Sequence, residues 1–131
     1  MSTKTWNIAL WTLQVLLALA FGMAGFMKLT QPLEALATNM PWVAQSPAAL
    51  VRFIGLSELL GGIGLILPAL LRIRPALTVA AGAGLAVVMI LAVLFHLFRG
   101  EGPMAAPALI LGVLAALVSW GRIARAPIAA R

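Results

Sequence analysis

The stretch "VRFIGLSELLGGIGLILPALLRIRP", residues 51–75, decides the fold. Between Arg52 and the pair Arg72 and Arg74, the nineteen residues 53–71 carry one charge, that of Glu58. A helix of about 20 residues, at ~1.5 Å each, spans the roughly 30 Å of hydrocarbon in a bilayer. The same punctuation recurs along the chain. Lys4, Lys28, Arg99 with Glu101, and Arg122 with Arg125 delimit three further apolar segments at residues 5–27, 75–98 and 103–121. In lipid only helices and closed barrels satisfy their backbone, and these runs are too long and too uniformly apolar for barrel strands. The expected fold is all-α: a polytopic membrane protein, an antiparallel four-transmembrane-helix bundle forming a single membrane domain over residues 1–131. Its helices are expected at about 5–27, 50–71, 75–98 and 103–121, with an outer loop at 29–49.

Composition points the same way. Of 131 residues 63% are hydrophobic and 9% charged, against roughly 45–50% and 25% in soluble domains. Without cysteine there is no disulfide, thiol chemistry or thiolate metal site. One histidine and no aspartate argue against a self-contained metal centre. The net charge of +6 sits on residues that bracket apolar segments and never form a patch interleaved with aromatics. They read as topology determinants, with the lipid bilayer as partner and no nucleic acid. Ala18-Leu19-Ala20 resembles a signal-peptidase site, but the apolar run continues to Met27, which favours a retained helix.

Four spans put both termini on one side. If that side is cytoplasmic, Lys4, Arg72, Arg74, Arg122, Arg125 and Arg131 lie inside, against Lys28, Arg52 and Arg99 outside, as the positive-inside bias expects. Trp6, Trp42 and Trp120 fall near segment ends, where an aromatic belt is expected, and Trp11 lies deeper. In the outer loop, residues 33–36 predict a short helix begun by Thr30 and Pro32 and ending before Pro41, either lying on the membrane surface or capping the bundle.

At 100° per residue, Gly55, Gly61 and Gly62 share the face of Glu58. Gln14, Phe21, Gly25 and Lys28 form one stripe on the first helix, and Thr78, Gly82, Met89, Ala92 and His96 one on the third. The fourth offers only Ser119 and reads as a packing wall. Polar stripes of this kind belong inside a bundle. Glu58 lies six residues past Arg52, about 9 Å deeper, and His96 three residues before Arg99, about 4.5 Å deep. Glu58, Lys28 and His96 are therefore expected to converge in the outer half. With Gln14 they are the candidate ligand-binding or proton-carrying residues, among the pocket glycines Gly25, Gly55, Gly61 and Gly62; no catalytic residue and no metal ligand is assigned. The plainer alternatives are that Lys28 and Arg52 snorkel to headgroups and that Glu58 with Lys28 is a structural bridge.

The segments "FGMAGFMKL" (21–29), "GLSELLGGIGLILP" (55–68) and "LAVLFHLFRGE" (91–101) resemble the DoxX-like family of small four-helix integral membrane proteins. The resemblance covers nearly the whole chain. It implies a bundle in the plasma membrane, with some members serving quinone-linked sulfur oxidation, others associated with superoxide dismutase and sulfurtransferase partners in oxidative-stress defence, and animal relatives acting as assembly factors. The function it suggests here is an accessory inner-membrane subunit of a redox or oxidative-stress system, not an enzyme on its own. Any redox role would draw on a bound quinone or on a soluble or membrane redox partner protein. Two alternatives stand beside it: a small proton-coupled transporter using Glu58, dimeric through Gly82, Gly84 and Ala86, and a membrane assembly or scaffold protein without chemistry.

Overall fold

The computed structural model describes residues 1–131. Helix α1 runs Thr3–Thr30, a short α2 Leu33–Asn39, a 3-10 turn Pro41–Gln45, then α3 Ala48–Leu71, α4 Ala76–Phe98 and α5 Gly102–Ala124. The four long helices are each long and apolar enough to cross a membrane, and there is no strand. At 28 residues α1 is about 42 Å long, so it extends beyond the hydrocarbon at one or both ends. Its first turn is capped by Ser2, whose hydroxyl accepts from the Thr5 amide at 3.1 Å.

The buried positions explain how the helices pack. On α3 they are Val51, Gly55, Glu58, Gly62, Leu65 and Ala69, alternating steps of four and three; α1 and α5 follow nearly the same rhythm. Steps that alternate between four and three keep one stripe turned to the neighbour along the whole helix, as in antiparallel helices packed at a shallow angle. Cross-helix contacts give the topology. Gln14 meets Leu65 and Lys28 meets Glu58, so α1 and α3 are antiparallel; Thr78 meets Gly64, and Ser119 meets Val79, which reverses α4 and then α5. Arg122 reaches Asn7 and Gln14, closing the ring between α5 and α1. The bundle thus has a termini end and a loop end.

Glycine sets the closest approach. A Cβ on Gly25 would lie 2.5 Å from the Gly55 carbonyl oxygen and the Leu59 amide, so the α1 and α3 backbones touch there. Pro68, inside α3, cannot donate to the Gly64 carbonyl, and the Thr78 hydroxyl of α4 donates to that oxygen instead at 2.9 Å. Phe21, Leu65, Leu85, Met89, Ala115 and Val118 are part of the central core. Leu36, Trp42, Val43 and Val51 form a second cluster at the loop end, so the outer connection caps the bundle instead of lying flat on a surface. Trp42, expected in an aromatic belt, is buried and packs edge-to-face on Phe95 at 5.8 Å.

Candidate functional site

Lys28 stands in the last turn of α1 on its buried stripe, with its stem against Gly55: a Cβ there would lie 2.7 Å from the Lys28 Cβ. The absent side chain at Gly55 gives the lysine its path into the bundle. Its Nζ donates to Glu58 Oε1 at 2.5 Å, the sole side-chain hydrogen bond either residue makes. Lys28 is 9% exposed and Glu58 3%. Burying two charges in hydrocarbon is costly unless they pair, and the pairing makes this carboxylate tolerable at its depth. Arg52 acts on the backbone instead. Its Nη1 donates to the carbonyls of Lys28 and Gln31 at 2.7 and 2.8 Å, capping the C-terminus of α1.

Both members of the ion pair line a cavity of about 430 Å³ at the loop end. Ser57 and His96 are its other polar lining residues; Met40, Trp42, Phe53, Phe95 and Met104 are among the apolar ones. Met40 and Trp42 come from the capping segment. Leu50 and Phe53 of α3 and Leu91 of α4 line the cavity while exposed on the surface of the bundle, so it opens between α3 and α4 toward the lipid.

His96 shares this cavity but makes no hydrogen bond to Lys28 or Glu58. Its Nδ1 faces Glu101 Oε1 at 3.1 Å, and Arg99 Nε donates to the same oxygen at 2.8 Å. Since the carboxylate accepts, Nδ1 is the donor in this contact. Arg99, and then His96, hold the Glu101 carboxyl below its usual range by donating to the charged form. In the sequence Glu101 read only as a boundary charge beside Arg99; its place five residues after His96, across the helix end, was the available signal for this contact.

Gln14 does not join the cavity. Its Nε2 donates to the Leu65 carbonyl at 2.6 Å and its Oε1 accepts from Arg122 Nε at 2.7 Å, well toward the termini end. Arg122 also donates through Nη1 to Asn7 Oδ1 and the Ala126 carbonyl. Thus α5 is more than a packing wall, and Arg122 is buried against α1. The four glycines do not line the cavity either. Gly25 and Gly55 bring α1 and α3 together, Gly62 packs on Ala18 and Gly22, and Gly61 meets Leu85, because the face beside Glu58 is spent on helix contact.

No three metal-ligating side chains converge. Chemically, the loop-end cavity offers one ammonium donor and one carboxylate on an apolar, aromatic-walled surface, suited to the polar head of an amphiphile and to proton exchange with it. A sequence profile of the DoxX-like family matches residues 12–118. No curated protein and no solved structure matches the chain.

Proposed function

The chain belongs to the DoxX-like family, and from that premise we propose that it is an accessory subunit of a redox or oxidative-stress system, holding a quinone in the loop-end cavity. We place it in the bacterial inner membrane with both termini cytoplasmic, on the bias of basic residues toward the termini end. The observation that carries the reading is the buried pair of Lys28 and Glu58 on the wall of an otherwise apolar cavity that opens to lipid.

The lining suits such a ligand. About 430 Å³ lies within the ~300–1,000 Å³ typical of small-molecule sites. Trp42, Phe53 and Phe95 supply ring faces, and the opening between α3 and α4 gives an apolar tail its exit. A bound quinone would supply the electron-carrying chemistry. Lys28 would donate a hydrogen bond to a carbonyl oxygen, and Glu58 would take up or release a proton beside it. The chain has no cysteine and no converging metal ligands, so the electrons would come from a partner protein.

One observation favours a second reading, a scaffold without chemistry: the ion pair adjoins the Gly25 and Gly55 crossing, where it would fasten α1 to α3. Native mass spectrometry of the protein extracted gently from its own membrane separates the two. A retained quinone, lost at least tenfold in Lys28→Met and Glu58→Gln chains that still fold, supports the quinone reading. Retention of phospholipid alone, with partner binding unchanged in the variants, leaves the scaffold.

A further inference from the structure

Between α3 and α4 a furrow runs along the lipid-facing surface of the bundle. Its walls are antiparallel: Ser57 to Pro68 on α3, and Val88 back to Leu77 on α4, about 16 Å along each helix. It holds about 540 Å³. Small residues keep it open. Gly64, Ala80, Ala81 and Gly84 line it, and a Cβ on Gly84 would meet nothing within 4 Å. Leu60, Leu67 and Leu77 line it while exposed on the surface of the bundle.

The furrow offers hydrocarbon contact and no hydrogen bond. Ser57, with no charged residue beside it in the lining, already donates to the Phe53 carbonyl of its own helix at 2.9 Å. The Gly64 carbonyl, which Pro68 leaves without an amide donor, is taken by the Thr78 hydroxyl. At the loop end, Ser57 on one wall and Val88 on the other also line the cavity of Lys28 and Glu58, so the furrow begins where that cavity opens between the two helices.

We infer that the furrow holds the hydrocarbon tail of the molecule whose ring occupies the cavity, which makes the substrate class a polyprenyl quinone confined to the bilayer and not a small soluble one. The inference rests on the quinone reading and adds the course of the tail, along the bundle toward the termini end. Lipid chains are as apolar as the furrow, so contact by contact a tail gains only packing over them. A tail tethered to a ring bound next door enters at high effective concentration, and that advantage displaces free lipid chains.

The test places the protein in phosphatidylcholine nanodiscs with a benzoquinone carrying a polyprenyl tail, or the same ring with a methyl group in its place. Each is titrated to half-occupancy of the wild type, and retained quinone is read by native mass spectrometry. Gly84→Leu sends a side chain into open space, filling the furrow while sparing the packing. Ala80→Leu does the same one turn away and guards against a folding defect in the first. Each should weaken the tailed quinone at least about fivefold, since the tail must be forced past added bulk, and leave the methyl quinone unchanged. Ala83→Leu adds the same bulk to the exposed face of α4 outside the furrow and should change neither. Lys28→Met acts on the ring and should weaken both quinones. If it does so while Gly84→Leu and Ala80→Leu hold the tailed quinone like wild type, the ring site stands and the furrow assignment falls. Equal losses from Ala83→Leu, or leucine variants that turn a dimer into a monomer without touching the tail, also overturn it. A wild type that retains neither quinone overturns the quinone reading and this inference together.

Discussion

Replacing Lys28 by Met removes one charge while keeping an unbranched stem of similar length along Gly55. Glu58 then keeps no side-chain partner at 3% exposure. Breaking a buried pair from one side costs about 3–5 kcal/mol, because the remaining charge stays in a medium that cannot solvate it. Glu58→Met should cost a similar ~3–5 kcal/mol by stranding the ammonium. In the double variant neither charge remains, and two flexible thioethers refill the space; its stability should fall within about 1.5 kcal/mol of wild type. The double-mutant cycle then returns a coupling of at least about 3 kcal/mol. Reversible unfolding in mixed micelles measures all four proteins under one condition. If each single variant loses less than about 1 kcal/mol and the losses add, the two groups do not depend on each other, and the account of how Glu58 is tolerated fails. The same double variant should fold but release the quinone, since packing is kept and both polar groups are gone.

Gly25→Ala places a methyl against backbone at 2.5 Å and should cost about 1–3 kcal/mol, whereas Gly84→Ala, with nothing within 4 Å, should change stability by less than about 1 kcal/mol; paired unfolding curves show the contrast. Thr78→Val strands the Gly64 carbonyl and should cost about 1 kcal/mol, and adding Pro68→Ala, which restores an amide donor, should recover most of it. Because Arg99 and His96 lower the Glu101 carboxyl, its stabilising contribution is complete above the unfolded-state value near 4.5 and disappears as pH falls through the lower folded-state value. Melting temperature followed from pH 6 downward should show that loss, and Glu101→Gln should flatten the profile over this range.

The spans were legible because charge is excluded from hydrocarbon: Arg52, Arg72 and Arg99 fall within four residues of helix ends. The stripes of Gln14, Phe21, Gly25 and Lys28, and of Thr78, Gly82, Met89, Ala92 and His96, were legible because a helix repeats its face every three or four residues; all are buried except Ala92, which is half-buried. What a stripe cannot give is which neighbour it meets. Gln14 lies on the same face as Lys28, yet it is fourteen residues, about 21 Å, further along α1, and its partner Arg122 is 108 positions away in sequence. A signal for Arg122 was present: Ala105, Ala108, Gly112, Ala115, Ser119 and Arg122 step by three and four along α5, which continues the small-residue seam onto the arginine. Its position near a segment end concealed this, since a basic residue there is ordinarily interfacial.

The two ends of the bundle solve the same electrostatic problem differently, and the difference argues for an uncharged ligand at the loop end. At the loop end the buried Lys28 meets Glu58 and the half-buried Arg99 meets Glu101, so this end is neutral locally and has no need of an ion. A ligand there is selected by shape, apolar contact and a few hydrogen bonds, as an uncharged ring compound would be. At the termini end Arg122 is buried among neutral groups and the Trp11 ring, while Lys4, Arg72, Arg74, Arg125 and Arg131 add further positive charge and no acidic side chain answers it. Neutralising the loop-end pair should therefore release the quinone while leaving the Arg122 bonds to Gln14 and Asn7, and with them the junction of α5 and α1, intact.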